Sequence, residues 1–371
     1  MGSNCLQVTS VEGQRRDPVP PARIIPFMIK SYNLRLRFFA KSGVGMRLLI
    51  TGAAGFIGSN FVRRINDQSL PGISSVVVLD LLTYAGVLEN LSEVAQSEKY
   101  TFVHGDIRDA GIVKSLISDV DAVVNFAAES HVDRSIQSSA EFISTNVTGV
   151  QVLLDAIKAS GRKIRFVQVS TDEVYGSIET GSWDEDFPLL PNSPYSASKA
   201  GGELLARSYN RTHGMDVVIT RCSNNYGPHH FPEKLIPLFI TNLLEGKQVP
   251  VYGNGKNVRD WLHVDDHCRG IYQVLMNGRS GEVYNIGGGR ELTNVEITHL
   301  ILEAMGADES SIKYVEDRKG HDLRYSVNWS KINRELGYEP QVKFEDGLRE
   351  TIEWYRNNRA WWEPLKKRAG L

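Results

Sequence analysis

The chain reads as an α/β protein: a doubly wound parallel sheet followed by a smaller C-terminal lobe. Three observations predict this. The apolar strand Arg47-Leu48-Leu49-Ile50 runs straight into Thr51-Gly52-Ala53-Ala54-Gly55-Phe56-Ile57-Gly58, whose glycines fall as G-x-x-G-x-x-G. Further apolar runs alternate with helical stretches as far as Arg221, the pattern of parallel strands joined by crossover helices. The length of 371 residues exceeds one average domain, which leaves room for a second, smaller lobe.

Residues 1–45 carry Arg15, Arg16, Arg23, Lys30, Arg35, Arg37 and Lys41 against only Glu12 and Asp17, with Pro-Val-Pro-Pro at 18–21. That composition predicts a disordered or non-native arm outside the fold. The strand at 47–50 comes next, and a helix over Phe56–Ile65 follows the glycines. Glycine permits the tight turn and lets backbone N–H groups approach a pyrophosphate at a helix N-terminus. Val76-Val77-Val78-Leu79-Asp80 closes the βαβ unit, and Asp80 lies 22 residues past Gly58, where an acid can hold a ribose 2′-hydroxyl. Its carboxylate would repel a 2′-phosphate, so NAD is expected rather than NADP. Residues 46–221 are therefore expected to form a Rossmann-like NAD-binding domain.

Further strands are expected at Tyr100–His104, Ala122–Phe126, Ile164–Ser170 and Val217–Arg221. Ligands of such sheets bind beyond the carboxyl ends of the strands. Gly105-Asp106-Ile107, Ala127-Ala128-Glu129-Ser130, Ser170-Thr171-Asp172-Glu173 and Asn224-Asn225 all fall at that edge, which predicts one site made of dispersed segments. Ser193 and Pro194 suit the start of a helix carrying Tyr195 and Lys199. Residues four apart share a helix face, and a nearby cation favours the phenolate. Such a pair can take a proton from a sugar hydroxyl while a nicotinamide takes the hydride. The neighbouring Asp172 and Glu173 add an acid and a base, and together they point to an elimination.

Residues 222–371 are expected to be mainly a nucleotide-sugar-binding lobe, with segments returning to the sheet. Arg259 and Arg318 are candidate diphosphate ligands because the guanidinium fork matches phosphate oxygens. Pro250-Val251-Tyr252 reads as an apolar edge able to cover a flat base, thymine and uracil alike. No metal is expected at His263-x-x-x-His267 or His229-His230, and Gly287-Gly288-Gly289 reads as a turn. Trp354, Trp361 and Trp362 suggest a docked helix, with Lys366, Lys367 and Arg368 in a solvated tail. A net charge of −2 gives no bulk attraction to nucleic acid or to an anionic membrane. The three cysteines, Cys5, Cys222 and Cys268, form no C-x-x-C pair, as expected in a reducing cytoplasm. No apolar run approaches the ~18 residues of a membrane span.

Five runs carry a resemblance: Phe126-Ala127-Ala128-Glu129-Ser130-His131-Val132-Asp133, Ser170–Gly176, Tyr195 with Lys199, Arg259–Asp266, and Asp317-Arg318-Lys319-Gly320-His321-Asp322. Over residues 46–365 the chain resembles the extended short-chain dehydrogenase/reductase family, and within it the nucleotide-sugar 4,6-dehydratases. Epimerases of this fold usually carry small or neutral residues where Asp172 and Glu173 stand. Lys319 departs from the proline common in the family, which concerns local loop shape.

The resemblance implies catalysis by Thr171, Asp172, Glu173, Tyr195 and Lys199. It implies NAD contacts at Gly52, Gly55, Phe56, Ile57 and Gly58, then at Asp80, Leu81, Leu82, Thr83, Asp106 and Ile107. Phe126, Ala127, Ala128, Ser130, Thr145, Tyr195, Lys199 and Asn225 complete that set. For the substrate, taken as dTDP-glucose, it implies Ser130, Thr171, Asn224, Lys234, Leu235, Pro250, Tyr252, Arg259, Asn294, Arg318 and His321. It further implies a homodimer through helices near 140–158 and 195–212. The residues themselves also admit a 4-epimerase, a decarboxylase, another nucleotide-sugar dehydratase, or a redox sensor that binds NAD and a protein partner.

Overall fold

The structure, a computed structural model, describes residues 45–318 and 320–371. The expectations for the arm and for Lys319 therefore lie outside the described residues, Gly45 excepted. Twelve strands run among the described residues: β1 (Met46–Thr51), β2 (Ile73–Asp80), β3 (Tyr100–His104), β4 (Ala122–Asn125), β5 (Arg165–Thr171) and β6 (Val217–Cys222), then β7 (Asn224–Tyr226), β8 (Val249–Tyr252), β9 (Val258–His263), β10 (Val283–Ile286), β11 (Glu291–Thr293) and β12 (Ile312–Val315). Seven of them form one parallel sheet in the order β10-β6-β5-β4-β1-β2-β3.

Alternation along the strands explains the layers. Leu48 and Ile50 of β1 face one side with Phe61 and Ile65 of the Phe56–Asn66 helix. Leu49 faces the other side, with Val113 of the Ala110–Ile117 helix and Leu153 of the Val150–Ala159 helix. Successive side chains of a strand point to opposite faces, so a strand buried on both sides must be apolar throughout. β1 pairs with both β2 and β4, and the strand order reverses there. Such a reversal opens a crevice beyond the strand ends.

The chain beyond Cys222 does two things. β10 pairs parallel with β6, and Cys268, Ile271 and Leu275 of the Val264–Asn277 helix join the sheet's core. The rest builds a second core in which Tyr226, Phe239, Trp261, Ile297, Tyr355 and Trp362 meet, beside a three-stranded sheet (β11-β9-β7) and the β12–β8 pair. Lys366 corrects one expectation. It lies in the Arg359–Ala369 helix and is buried, its Nζ donating to Asn242 Oδ1 at 2.6 Å and Glu245 Oε2 at 2.7 Å. A terminal cluster of basic residues suggests solvent, but the lobe supplies this ammonium with two acceptors.

Candidate active site

A cavity of about 780 Å³ opens at the carboxyl ends of β1, β2, β4, β5 and β6. Every candidate residue named from the sequence lines it except Leu82. Leu82 packs against the core instead, and its N–H donates to Asp80 Oδ1 at 2.8 Å. Its backbone supports the site while its side chain turns away.

At the cofactor end the wall is backbone. Gly52 has φ +70°, and a Cβ there would come within 2.5 Å of the Ala127 backbone. A Cβ on Gly58 would meet Ala53 Cα at 2.7 Å, so this glycine sets how closely the helix packs on the preceding turn. A Cβ on Gly55 would have only the Gly52 carbonyl within 4 Å, at 3.3 Å, and would otherwise fill the cavity. These glycines form a cradle at a helix N-terminus that fits a dinucleotide pyrophosphate. Asp80 closes the far side, with Oδ2 accepting from Ala54 N at 2.8 Å. Burial raises its carboxyl above the usual range, against the pull of the Leu82 and Ala54 N–H bonds. Asp106 is tied to Arg108 at 2.6 Å. Asn225 Oδ1 meets His267 Nδ1 at 2.9 Å, and its amide donates to the Ser223 carbonyl. His267 therefore orients Asn225, while His263 Nδ1 accepts the Asp265 N–H at the start of the Val264–Asn277 helix.

Deeper in, β5 ends at Thr171 and turns through the short Asp172–Tyr175 helix, which Thr171 caps by accepting the Glu173 N–H at 3.3 Å. Asp172 is 2% exposed and its Oδ2 has no hydrogen-bond partner. Burial first, then Glu173 and Asp260, push its carboxyl well above the usual range. Burial also raises Glu173, opposed by the charges of Arg259 and Lys234. The environment thus favours a neutral acid beside a strengthened base.

Across the cavity, Ser193 and Ser196 form a reciprocal cap that starts the Pro194–His213 helix, with Tyr195 and Lys199 on its buried face. Lys199 Nζ donates to the Val169 carbonyl at 2.7 Å, and burial lowers its pKa to about 8. Burial and then Glu173 hold the Tyr195 phenol well above 10, with Thr171 pulling the other way. A shared helix face brings the two residues together, but the strand carbonyl captures the ammonium.

At the opposite end the wall is charged side chains held by remote partners. Arg259 donates to the carbonyls of Val258 (2.7 Å) and Asp322 (3.0 Å), with its guanidinium over the Tyr325 ring. Arg318 is gripped through Nε and Nη2 by Asp133, at 2.5 and 2.8 Å. Lys234 Nζ donates to the Ser130 carbonyl at 3.2 Å, and burial lowers its pKa. Asn224 Oδ1 is buried without a partner, and His321 bonds Asp317 at 2.7 Å. Leu235, Pro250, Tyr252 and Asn294 complete this end.

Sequence reasoning overlooked several residues here. Glu233 accepts from Tyr84 at 2.9 Å and stands 3.7 Å from both His131 and Arg134. Tyr325 donates to Asp322 at 2.6 Å, and Asn146 bonds both the N–H and the carbonyl of Glu129. Asp133, Glu233 and Asp322 each lie in or beside a run already singled out, a signal that would have served. Tyr325 and Asn146 carry none.

The family profile described as GDP-mannose 4,6 dehydratase matches residues 49–351. A dTDP-glucose 4,6-dehydratase of Streptomyces niveus is 59% identical over 324 residues, which cover 86% of this chain and 96% of that one. One from Streptomyces antibioticus is 60% identical, covering 87% and 96%. The crystal structure of DesIV, a dTDP-glucose 4,6-dehydratase from Streptomyces venezuelae with NAD bound, superposes with a TM-score of 0.85 at 61% identity, covering 86% of this chain and all of that one.

Proposed function

The chain belongs to the GDP-mannose 4,6 dehydratase family, and from that premise we propose that it converts dTDP-glucose to dTDP-4-keto-6-deoxyglucose and water. It is an NAD-dependent hydro-lyase. The observation that carries this reading is the buried Asp172 and the half-buried Glu173 beside it, facing Tyr195 and Lys199 in one cavity, together with relatives of that activity at about 60% identity.

NAD, when bound, supplies a hydride acceptor and a positive charge beside Tyr195. The cradle of Gly52, Gly55 and Gly58 would hold its pyrophosphate, and Asp80 would accept from a ribose hydroxyl. Phe126, Ala127, Ala128, Ser130, Thr145 and Asn225 complete the pocket wall there. Ionised beside the positive charge that NAD would bring, Tyr195 takes the sugar's 4-hydroxyl proton as the C4 hydrogen leaves as hydride, with Thr171 donating to the ketone oxygen that forms. Lys199, captured by Val169, keeps a cation under this site. The ketone makes the C5 proton acidic. Glu173 removes it while Asp172 protonates the 6-hydroxyl, which departs as water. Glu173 returns its proton to C5 as the hydride that NAD would supply reaches C6, and the proton held by Tyr195 restores Asp172 through solvent, so the cycle closes with no net redox change. An acid must be protonated to donate and a base is best near the working pH, which is what burial does to these two carboxyls. Arg259, Arg318 and Lys234 face the diphosphate.

Deuterium at C4 of dTDP-glucose should reappear at C6 of the product by mass spectrometry; an epimer, a pentose or label lost to solvent would sink the reading. Glu173→Gln should still oxidise C4 but lose about 10²–10⁴-fold in product formation, leaving reduced nicotinamide visible in the bound spectrum.

We also infer a homodimer. Ile143 and Leu204 are 53% and 50% exposed on adjoining helices, Ala140–Ile143 and Pro194–His213. Sedimentation should show twice the chain mass, and aspartate at both positions should halve it. No helix among the described residues is long and apolar enough to cross a membrane, and the free thiols of Cys222 and Cys268 fit a reducing cytoplasm.

A further inference from the structure

One buried ionic network stands just outside the cavity and takes no part in the chemistry described. Arg221 and Glu203 are 4% and 2% exposed, and Arg221 Nε donates to Glu203 Oε1 and Oε2 at 3.0 and 3.1 Å. Arg221 Nη1 donates to the Tyr175 hydroxyl at 2.6 Å and to the Glu185 carbonyl at 3.1 Å. The Tyr175 hydroxyl donates onward to Asn285 Oδ1 at 2.9 Å, and its ring stacks on Trp183 with centroids 5.1 Å apart.

The placement of these groups gives the network its meaning. Glu203 follows Tyr195 and Lys199 at four-residue intervals, on the same buried face of the Pro194–His213 helix. Tyr175 closes the short Asp172–Tyr175 helix that carries the acid and the base. Arg221 lies in register with Ser170 of β5 on one side and Asn285 of β10 on the other. One guanidinium therefore ties the redox helix to the acid–base turn through Glu203 and Tyr175. A buried ion pair is weak evidence for stability, because desolvation offsets most of its Coulomb gain. Its position beneath two catalytic segments points to another role.

We propose that Arg221 is a positioning residue that sets the spacing between the turn bearing Asp172 and Glu173 and the helix face bearing Tyr195 and Lys199. This rests on the dehydratase reading and deepens it. Oxidation uses the helix and elimination uses the turn, so loosening the tie slows water loss more than it slows oxidation.

Tyr175→Phe keeps the ring and removes only the hydroxyl link. Arg221→Lys keeps the charge against Glu203, but one ammonium cannot span both partners. Expected are a fall in kcat of about tenfold for Tyr175→Phe and ~10²-fold for Arg221→Lys, with KM within about twofold. Bound reduced nicotinamide should accumulate during turnover of dTDP-glucose. Unchanged kcat per folded molecule with only a lower unfolding midpoint overturns the proposal, as does a change confined to KM or a kcat loss without that accumulation. The unsubstituted chain is assayed alongside. Absence of product there counts against the dehydratase reading, whereas normal turnover by Tyr175→Phe counts against the positioning role alone.

Discussion

The two ends of the cavity are made of different material. At the cofactor end, Gly52, Gly55 and Gly58 present backbone, and Asp80 is held by N–H groups of its own and the preceding turn. At the charged end, Arg259 and Arg318 line the cavity, where the Asp322 carbonyl and the Asp133 carboxylate hold them. A backbone surface follows from the conformation of consecutive residues, so adding atoms breaks it. A surface of long side chains depends on partners far along the chain, so removing one partner breaks it.

The largest effect is expected where the two ends meet. Lys199→Met should lower turnover on the order of 10²–10⁴-fold and yet stabilise the fold. Burial lowers the Lys199 pKa from 10.5 to about 8, a shift corresponding to at most about 3 kcal/mol at neutral pH. A depressed lysine pKa means the unfolded chain binds more protons, so the penalty is full below the folded value. It is relieved as pH rises from about 8 towards 10.5. Urea unfolding should therefore show Lys199→Met ahead at neutral pH, with the gap closing across that window.

Next comes a test of the backbone end by addition. Gly52→Ala forces a side chain into φ +70° and against the Ala127 backbone, and should cost more than about 1 kcal/mol. NAD affinity, followed by fluorescence titration, should fall further than affinity for dTDP. Equal losses at both would erase the contrast between the ends.

The charged end is tested by removal. Arg318→Lys gives up the two-point grip on Asp133 and should raise KM about tenfold while leaving NAD binding alone, as expected for a hydrogen bond to a charged group. The smallest change is expected from Asp133→Asn. The pair is partly exposed, so KM should move only about two- to fivefold. An effect of Asp133→Asn as large as that of Arg318→Lys would show the carboxylate itself to be indispensable.

This contrast also explains what could be read in advance. β1, β3, β4, β5 and β6 were expected within a residue of where they lie, since strands buried on both faces are continuous apolar runs. β2 begins three residues before the expected Val76, because Ser74 and Ser75 interrupt the apolar pattern. The short strands β7, β9, β11 and β12 escaped notice. Their hydrogen-bonding partners are distant in sequence, and runs of three to six residues carry little periodic signal. The same holds for Arg221, whose partners Glu203 and Tyr175 lie in other elements.

By itself the sequence determined the apolar strand runs, the glycine turn and the spacing of Tyr195 and Lys199, because each depends on neighbours within a few residues. Only the tertiary structure decided the ionisation of Asp172, Glu173 and Lys199, the capture of Lys199 by Val169, and the partners that aim Arg259 and Arg318. Charge states and long side-chain directions are set by burial and by groups brought close in space, and neither is present until the chain has folded.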